Sequence, residues 1–172
     1  MVRLGSLAVL LLRLVLAVGL LDAGNNTTAV SGTVTSQCTV TGTTFGFGSY
    51  DPVVTNKSSA LNATVTTAVS ISCTRGTTGV YLTADTGSNG GQGGCSTTRA
   101  MKSGTHYLCY DLYTNSPGGT VWNTTNSGGH TISYSPVNTM GSVNQTVYGQ
   151  IPAGQDAVTG SYSDSVTVTV FP

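Results

Sequence analysis

The residues able to do chemistry are few: four cysteines (Cys38, Cys73, Cys95 and Cys109), two histidines (His106 and His130) and six acidic residues, all aspartate. A zinc site would want cysteine or histidine ligands in closely spaced pairs. No Cys-x-x-Cys occurs, and both histidines fall in loops or at strand edges. In an exported chain the other use of four cysteines is two disulfides, for which three pairings exist. Serine is abundant, but none sits in a Gly-x-Ser-x-Gly turn or any other nucleophile setting. Asp51, Asp85, Asp111, Asp156 and Asp164 mostly adjoin glycine, proline or strand ends, where aspartate builds turns. The run Thr86–Gly94 (TGSNGGQGG) has glycines enough for a phosphate cradle. No Gly-Lys-Ser/Thr follows it and no helical pattern opens after it, so it reads as a loop. No catalytic residue, metal or cofactor is expected, and the chain is not read as an enzyme.

The elements that would position these residues are strands. Only 7% of residues are charged and the formal net charge is zero. Gly, Ser, Thr and Val dominate, a composition that favours an all-β class. Such neutrality leaves no footprint for nucleic acid. It also gives weak electrostatic solubility, which suits a chain packed against copies of itself. Residues 1–23 read as a secretory signal: Arg3 precedes a run that is nearly all apolar from Gly5 to Leu21. Arg13 interrupts that run and argues against a membrane span. Cleavage is expected after Gly19 or after Ala23.

Period-two alternation then recurs along the chain. Strands are expected over Ala29–Val40, over Thr43–Tyr50 with Phe45 and Phe47 on one face, and over Leu61–Thr74 with Val65, Val69, Ile71 and Cys73 in phase. Others are expected over Gly79–Ala84, Tyr107–Thr114, from Thr120-Val121-Trp122, over Thr131–Tyr134 ahead of Ser135-Pro136, and over Thr146–Ile151. The aromatic strand with Trp122 could line a sugar site, although core packing is the more frequent role. The last strand alternates strictly, with Val166, Val168 and Val170 on one face and Ser165, Thr167 and Thr169 on the other. Short strands separated by Gly, Pro and Asn point to a sandwich or barrel.

Several motifs carry a resemblance. Phe47-Gly48-Ser49-Tyr50-Asp51-Pro52 stands near the start and Arg99-Ala100-Met101 in the middle. Leu108, Tyr110, Leu112 and Tyr113 precede Val121-Trp122, and Tyr148-Gly149-Gln150-Ile151-Pro152-Ala153-Gly154-Gln155 precedes Gly160-Ser161-Tyr162-Ser163-Asp164. The set resembles the spore coat protein U domain, a family that includes the subunits of archaic chaperone–usher pili. The resemblance implies an immunoglobulin-like β-sandwich over residues 34–172 that lacks its final strand and is completed by strand donation. It implies a bridge Cys38–Cys73; Cys95 and Cys109, which flank a loop and the start of the aromatic strand, are expected to pair and close the Gly-rich segment. It also implies an N-terminal donor arm, residues 24–33, with Thr28, Val30 and Gly32 in phase, and an acceptor groove beside Val166, Val168 and Val170.

The expected function is that of a structural subunit of a surface fimbrium, exported to the periplasm and supporting adhesion or biofilm formation. The expected partners are a periplasmic chaperone, an outer-membrane usher and copies of itself or related subunits. Two other readings are a self-complete secreted sandwich that binds a surface glycan, and a spore or cyst coat component. The arm carries little apolar area for a donor, at about 25 cal/mol per Å² buried.

Overall fold

The computed structural model describes residues 28–134 and 141–172. The expected leader, both candidate cleavage sites, residues 24–27 and Ser135-Pro136 lie outside the described residues. The chain divides into two units, Met1–Thr33 and Val34–Pro172. In the first, residues 28–33 are exposed and carry no strand, with Val30 92% accessible.

The second unit is two layers of strands. β1 (Cys38–Gly42), β2 (Leu61–Cys73), β7 (Val143–Ile151), β5 (His106–Tyr113) and β4 (Arg99–Ser103) lie in that order in a five-stranded sheet. β6 (Ile132–Tyr134), β3 (Val80–Ala84) and β8 (Val168–Phe171) form a three-stranded one. All neighbouring pairs are antiparallel. Ile71, Leu82, Trp122, Val147 and Ile151 are fully buried between the layers. Trp122 links the layers: its indole N–H donates to the Leu82 carbonyl at 2.9 Å, and its backbone N–H to the Leu112 carbonyl at 2.8 Å. This is the role of a core aromatic, not of a sugar platform.

β2 carries most of the register. Val65 faces Val147 and Val69 faces Gln145, so four steps on β2 oppose two on β7. Because the excess is even, the buried phase continues through this irregularity. Val69, Ile71 and Cys73 stay buried on one side and Val65 half-buried on the same side.

Four expected strands differ in the structure. The first begins at Cys38 and not at Ala29. Its partner β2 ends at Cys73, opposite Cys38, and upstream of that point Val34 is 84% accessible. Residues 43–50 alternate as expected, with Phe45 and Phe47 half-buried, but form no strand because no ladder partner lies alongside. The segment at Trp122 makes only a single bridge, Val121 to Tyr113. The C-terminal alternation holds throughout, with Val166, Val168 and Val170 half-buried and their neighbours exposed. The ladder itself starts at Val168, because the preceding stretch pairs elsewhere, through Ser163 with Lys102 of β4.

Candidate functional site

A groove of about 1030 Å³ opens between residues 43–50 and residues 157–168. Its floor is the inner face of the five-stranded sheet: Met101, Leu108, Tyr110, Leu112, Val147 and Ile151, with Trp122. The alternation of β5 explains the floor, since Leu108, Tyr110 and Leu112 share one phase and are all buried.

The first wall lies over that floor and not beside it. Gly149 on β7 has no side chain, and a Cβ there would stand 2.7 Å from the rings of both Phe45 and Phe47. The missing Cβ lets the two rings settle on the sheet. Phe45 and Phe47 meet edge to face at 5.1 Å, and Phe47 meets Tyr110 edge to face at 5.6 Å. The wall is thus held by its side chains. Its backbone is not held: after the Thr43 N–H, which donates to Ala68 at 2.9 Å, residues 44–49 make no backbone hydrogen bond among the described residues. Such a run of free donors and acceptors is a template for another strand.

The second wall is bonded along one side. Ser163 exchanges two backbone bonds with Lys102 (2.8 and 3.1 Å), the Ser165 carbonyl accepts from Ser88, and the Thr167 carbonyl accepts from Asp85. β8 then pairs with β3 and is an edge strand. The Asp85 carboxylate also accepts the N–H of Thr167 and of Gly87, each at 2.9 Å. Burial pushes the Asp85 carboxyl up, but these two amides, with the Thr167 hydroxyl and the Arg99 charge, together hold the group below its ordinary value. Asp164 accepts from the Tyr110 hydroxyl at 2.9 Å and from Asn89 at 3.0 Å. Burial, and then this bond to Asp164, push the Tyr110 hydroxyl well above the phenol range.

The groove's ends are fixed by the motif residues. The Tyr50 hydroxyl donates to the Pro152 carbonyl at 2.9 Å and accepts the Gln155 N–H at 3.1 Å. The Gln155 side chain takes the place of a neighbouring strand for Cys109, accepting its N–H at 2.7 Å and donating to its carbonyl at 2.9 Å. Arg99 is fully buried and ties the two layers at the far side. Its Nε donates to the Asp85 carbonyl, and one terminal nitrogen reaches the carbonyls of Asp85 and Trp122, both at 2.6 Å. The other terminal nitrogen faces Asp111 at 3.6 Å, too long for a hydrogen bond. Burial lowers the Arg99 pKa and raises that of Asp111, each against the pull of its partner.

Of the residues singled out in the sequence, Val166 and Val168 line the groove, whereas Val170 lies beyond its lining and packs on the core. Cys38 is bonded to Cys73 and Cys95 to Cys109, and no described cysteine is free. The first bridge closes the β1–β2 end and the second closes the Gly-rich loop onto β5. Thr28, Val30 and Gly32 are exposed in the first unit. No metal-holding cluster of His, Cys or acidic residues occurs among the described residues. The floor residues of β5 and β7 were visible in the sequence as strand and motif residues. Nothing local marked them as the bottom of a groove.

The fold is similar to a chain in the crystal structure of the CsuC–CsuE chaperone–tip adhesion subunit pre-assembly complex from archaic chaperone–usher Csu pili of Acinetobacter baumannii. The TM-score is 0.51 and the identity 24%, over 80% of this chain and 40% of that one. In sequence the chain is 33% identical over 134 residues to Protein U of Myxococcus xanthus, a match covering 75% of this chain and 72% of the relative. The Spore Coat Protein U domain matches residues 25–169, which include both groove walls and their floor. This chain belongs to the spore coat protein U domain family.

Proposed function

We propose that this protein is a fimbrial subunit whose groove receives a β-strand from another chain. The observation that carries the reading is the first wall: residues 44–49 are packed by Phe45 and Phe47 and unbonded along their backbone beside a groove with an apolar floor. A strand laid there would gain main-chain bonds from that wall and from the edge of β8, and would seat alternate side chains on Leu108, Leu112 and Val147. Archaic chaperone–usher pili, the source of the similar structure, fit this use of the groove. A periplasmic chaperone fills it first, an outer-membrane usher presents the subunit for assembly, and the arm of a following subunit, residues 24–33, replaces the chaperone. The leader exports the chain to the periplasm, and the finished fimbrium stands on the cell surface, where it supports adhesion or biofilm formation.

Val168 is the residue on which to test this. It is half-buried at the groove and begins β8. Val168→Asp places a charge where an incoming strand must bury apolar surface. Chaperone co-purification from periplasm and fibre formation should be lost together. Normal fibres from this variant would show that the groove does not accept a strand, and a wild-type protein that stays a stable monomer without any chaperone would favour the self-complete sandwich.

A further inference from the structure

The turn after Asp51 presents apolar side chains to solvent in a fixed conformation. Val53 and Val54 are each 74% accessible. The Asp51 carboxylate accepts the N–H groups of both, at 3.0 Å, and that of Thr55 at 3.4 Å. Asn56, almost fully buried, accepts the Asp51 N–H through its side chain and donates to the Ser59 carbonyl. The Asn56 carbonyl accepts from Gly154, which anchors the turn to the chain leaving β7. A turn held this firmly with polar residues inside would ordinarily carry polar residues outside as well. Across the groove, Val158 is 50% accessible, and both Val158 and Pro52 line the groove.

The position of this turn decides what covers it. Tyr50 is bonded to Pro152, next to the Leu61–Ile151 end of the β2–β7 ladder. Cys38 and Cys73 mark the other end of β2, which is 13 residues long, about 40 Å at the rise of a strand. The arm joins the second unit at Val34, at the Cys38 end. If an incoming arm entered the groove at that same end, two arm-bearing poles would stand face to face. Entry at the Pro52–Val158 mouth brings the root of the incoming arm to the turn and leaves the recipient's own arm root at the far pole. That arrangement repeats without closing, as a filament requires.

Resting on the function proposed above, we infer that Val53 and Val54, with Val158 on the facing lip, form an apolar collar for a second copy of this chain, meeting its surface at Val34. Val34 is itself 84% accessible. The collar adds body-to-body contact to the bonds of the donated strand and slows its departure.

The test compares two donors on the chaperone-complemented subunit: a synthetic peptide of residues 24–33, which has no body, and a whole second subunit. Val53→Ser combined with Val54→Ser should leave peptide binding within about twofold of wild type. It should speed dissociation of the subunit–subunit pair by about tenfold, the scale of a central interface truncation. Val34→Ser in the donor should have a similar effect, and combining it with the collar variant should add little. An unchanged pair dissociation rate overturns the collar while leaving the groove reading intact. Loss of peptide binding by the variant also overturns it, because the valines would then belong to the groove itself. Failure of the wild-type subunit to bind the peptide overturns the groove reading, and the collar with it.

Discussion

The guanidinium of Arg99 binds main-chain carbonyls from two distant segments, not a ligand. Those carbonyls belong to Asp85, at the end of β3, and to Trp122, so one side chain holds the end of the second layer to β4 of the first. A planar fork can serve carbonyls lying in different directions, which a lysine ammonium cannot do at the same reach. Arg99→Lys is therefore expected to lose about 2–4 kcal/mol, close to the 3–5 kcal/mol for leaving a buried charged network without its partner. Thermal melting of the strand-complemented subunit would check this, and a loss under about 1 kcal/mol would show that the carbonyl bonds contribute little. In the sequence Arg99 was legible only as part of a motif. Its partners lie 14 and 23 residues away, and no periodicity marks a carbonyl as an acceptor. Gln155 was hidden in the same way, since an amide that replaces a strand partner for Cys109 looks from sequence like any loop glutamine. Gly149 was equally silent, because its meaning lies in the two phenylalanines that rest against it.

Among the elements, alternation was readable and pairing was not. The inward phase of Val166, Val168 and Val170 follows from a period of two and holds in the structure. The same logic applied to residues 43–50 gave the correct inward face for Phe45 and Phe47, yet no strand forms, because a ladder depends on a neighbour that the local sequence does not contain. β8 depends on Asp85 for its start. The carboxylate holds the Thr167 N–H one residue before the strand begins. Its pKa is lowered in the fold, so its charge contributes stability above the ordinary carboxylate range near 3.8, and that contribution is lost as pH falls through the lowered value. Asp111 acts in the opposite sense: burial raises its pKa, so the penalty of its charge fades as pH falls through the raised value. Asp85→Asn separates the two. It should be less stable than wild type at pH about 6, and the gap should narrow as pH falls below the ordinary value of 3.8 and through the lowered one. Urea unfolding of the complemented subunit across that range measures it, and a gap of constant size would show that the charge on Asp85 is not what fixes Thr167.

At the scale of the whole molecule, the strand-donation proposal makes an exposed arm root and an open groove complementary halves of one contact between copies. Residues 28–33 are exposed and carry no strand, while residues 44–49 offer a bare backbone beside an apolar floor. The two disulfides, at the Cys38–Cys73 end and on the Gly-rich loop, use no residue that lines the groove, so on this proposal cross-linking and an open groove coexist. The arm is poor in large apolar residues, and Val30 is its largest aliphatic side chain over residues 28–33. As the proposed donor, it would draw its affinity mainly from main-chain bonds to the first wall and to β8, with side chains setting register. Deletion of residues 24–31 behind an intact leader isolates this contribution. The acceptor half is untouched, so the truncated chain should be captured by the chaperone and should accept a wild-type arm at an unchanged rate. It should fail to enter another subunit's groove, and added to a growing assembly it should stop incorporation at its own donor end. Size-exclusion chromatography of mixtures of truncated and full-length subunits would read this as a fall in average polymer length with the fraction of truncated chains. Polymers of full length made from truncated chains alone would mean that the groove is filled by some other segment and that residues 24–33 are not the donor.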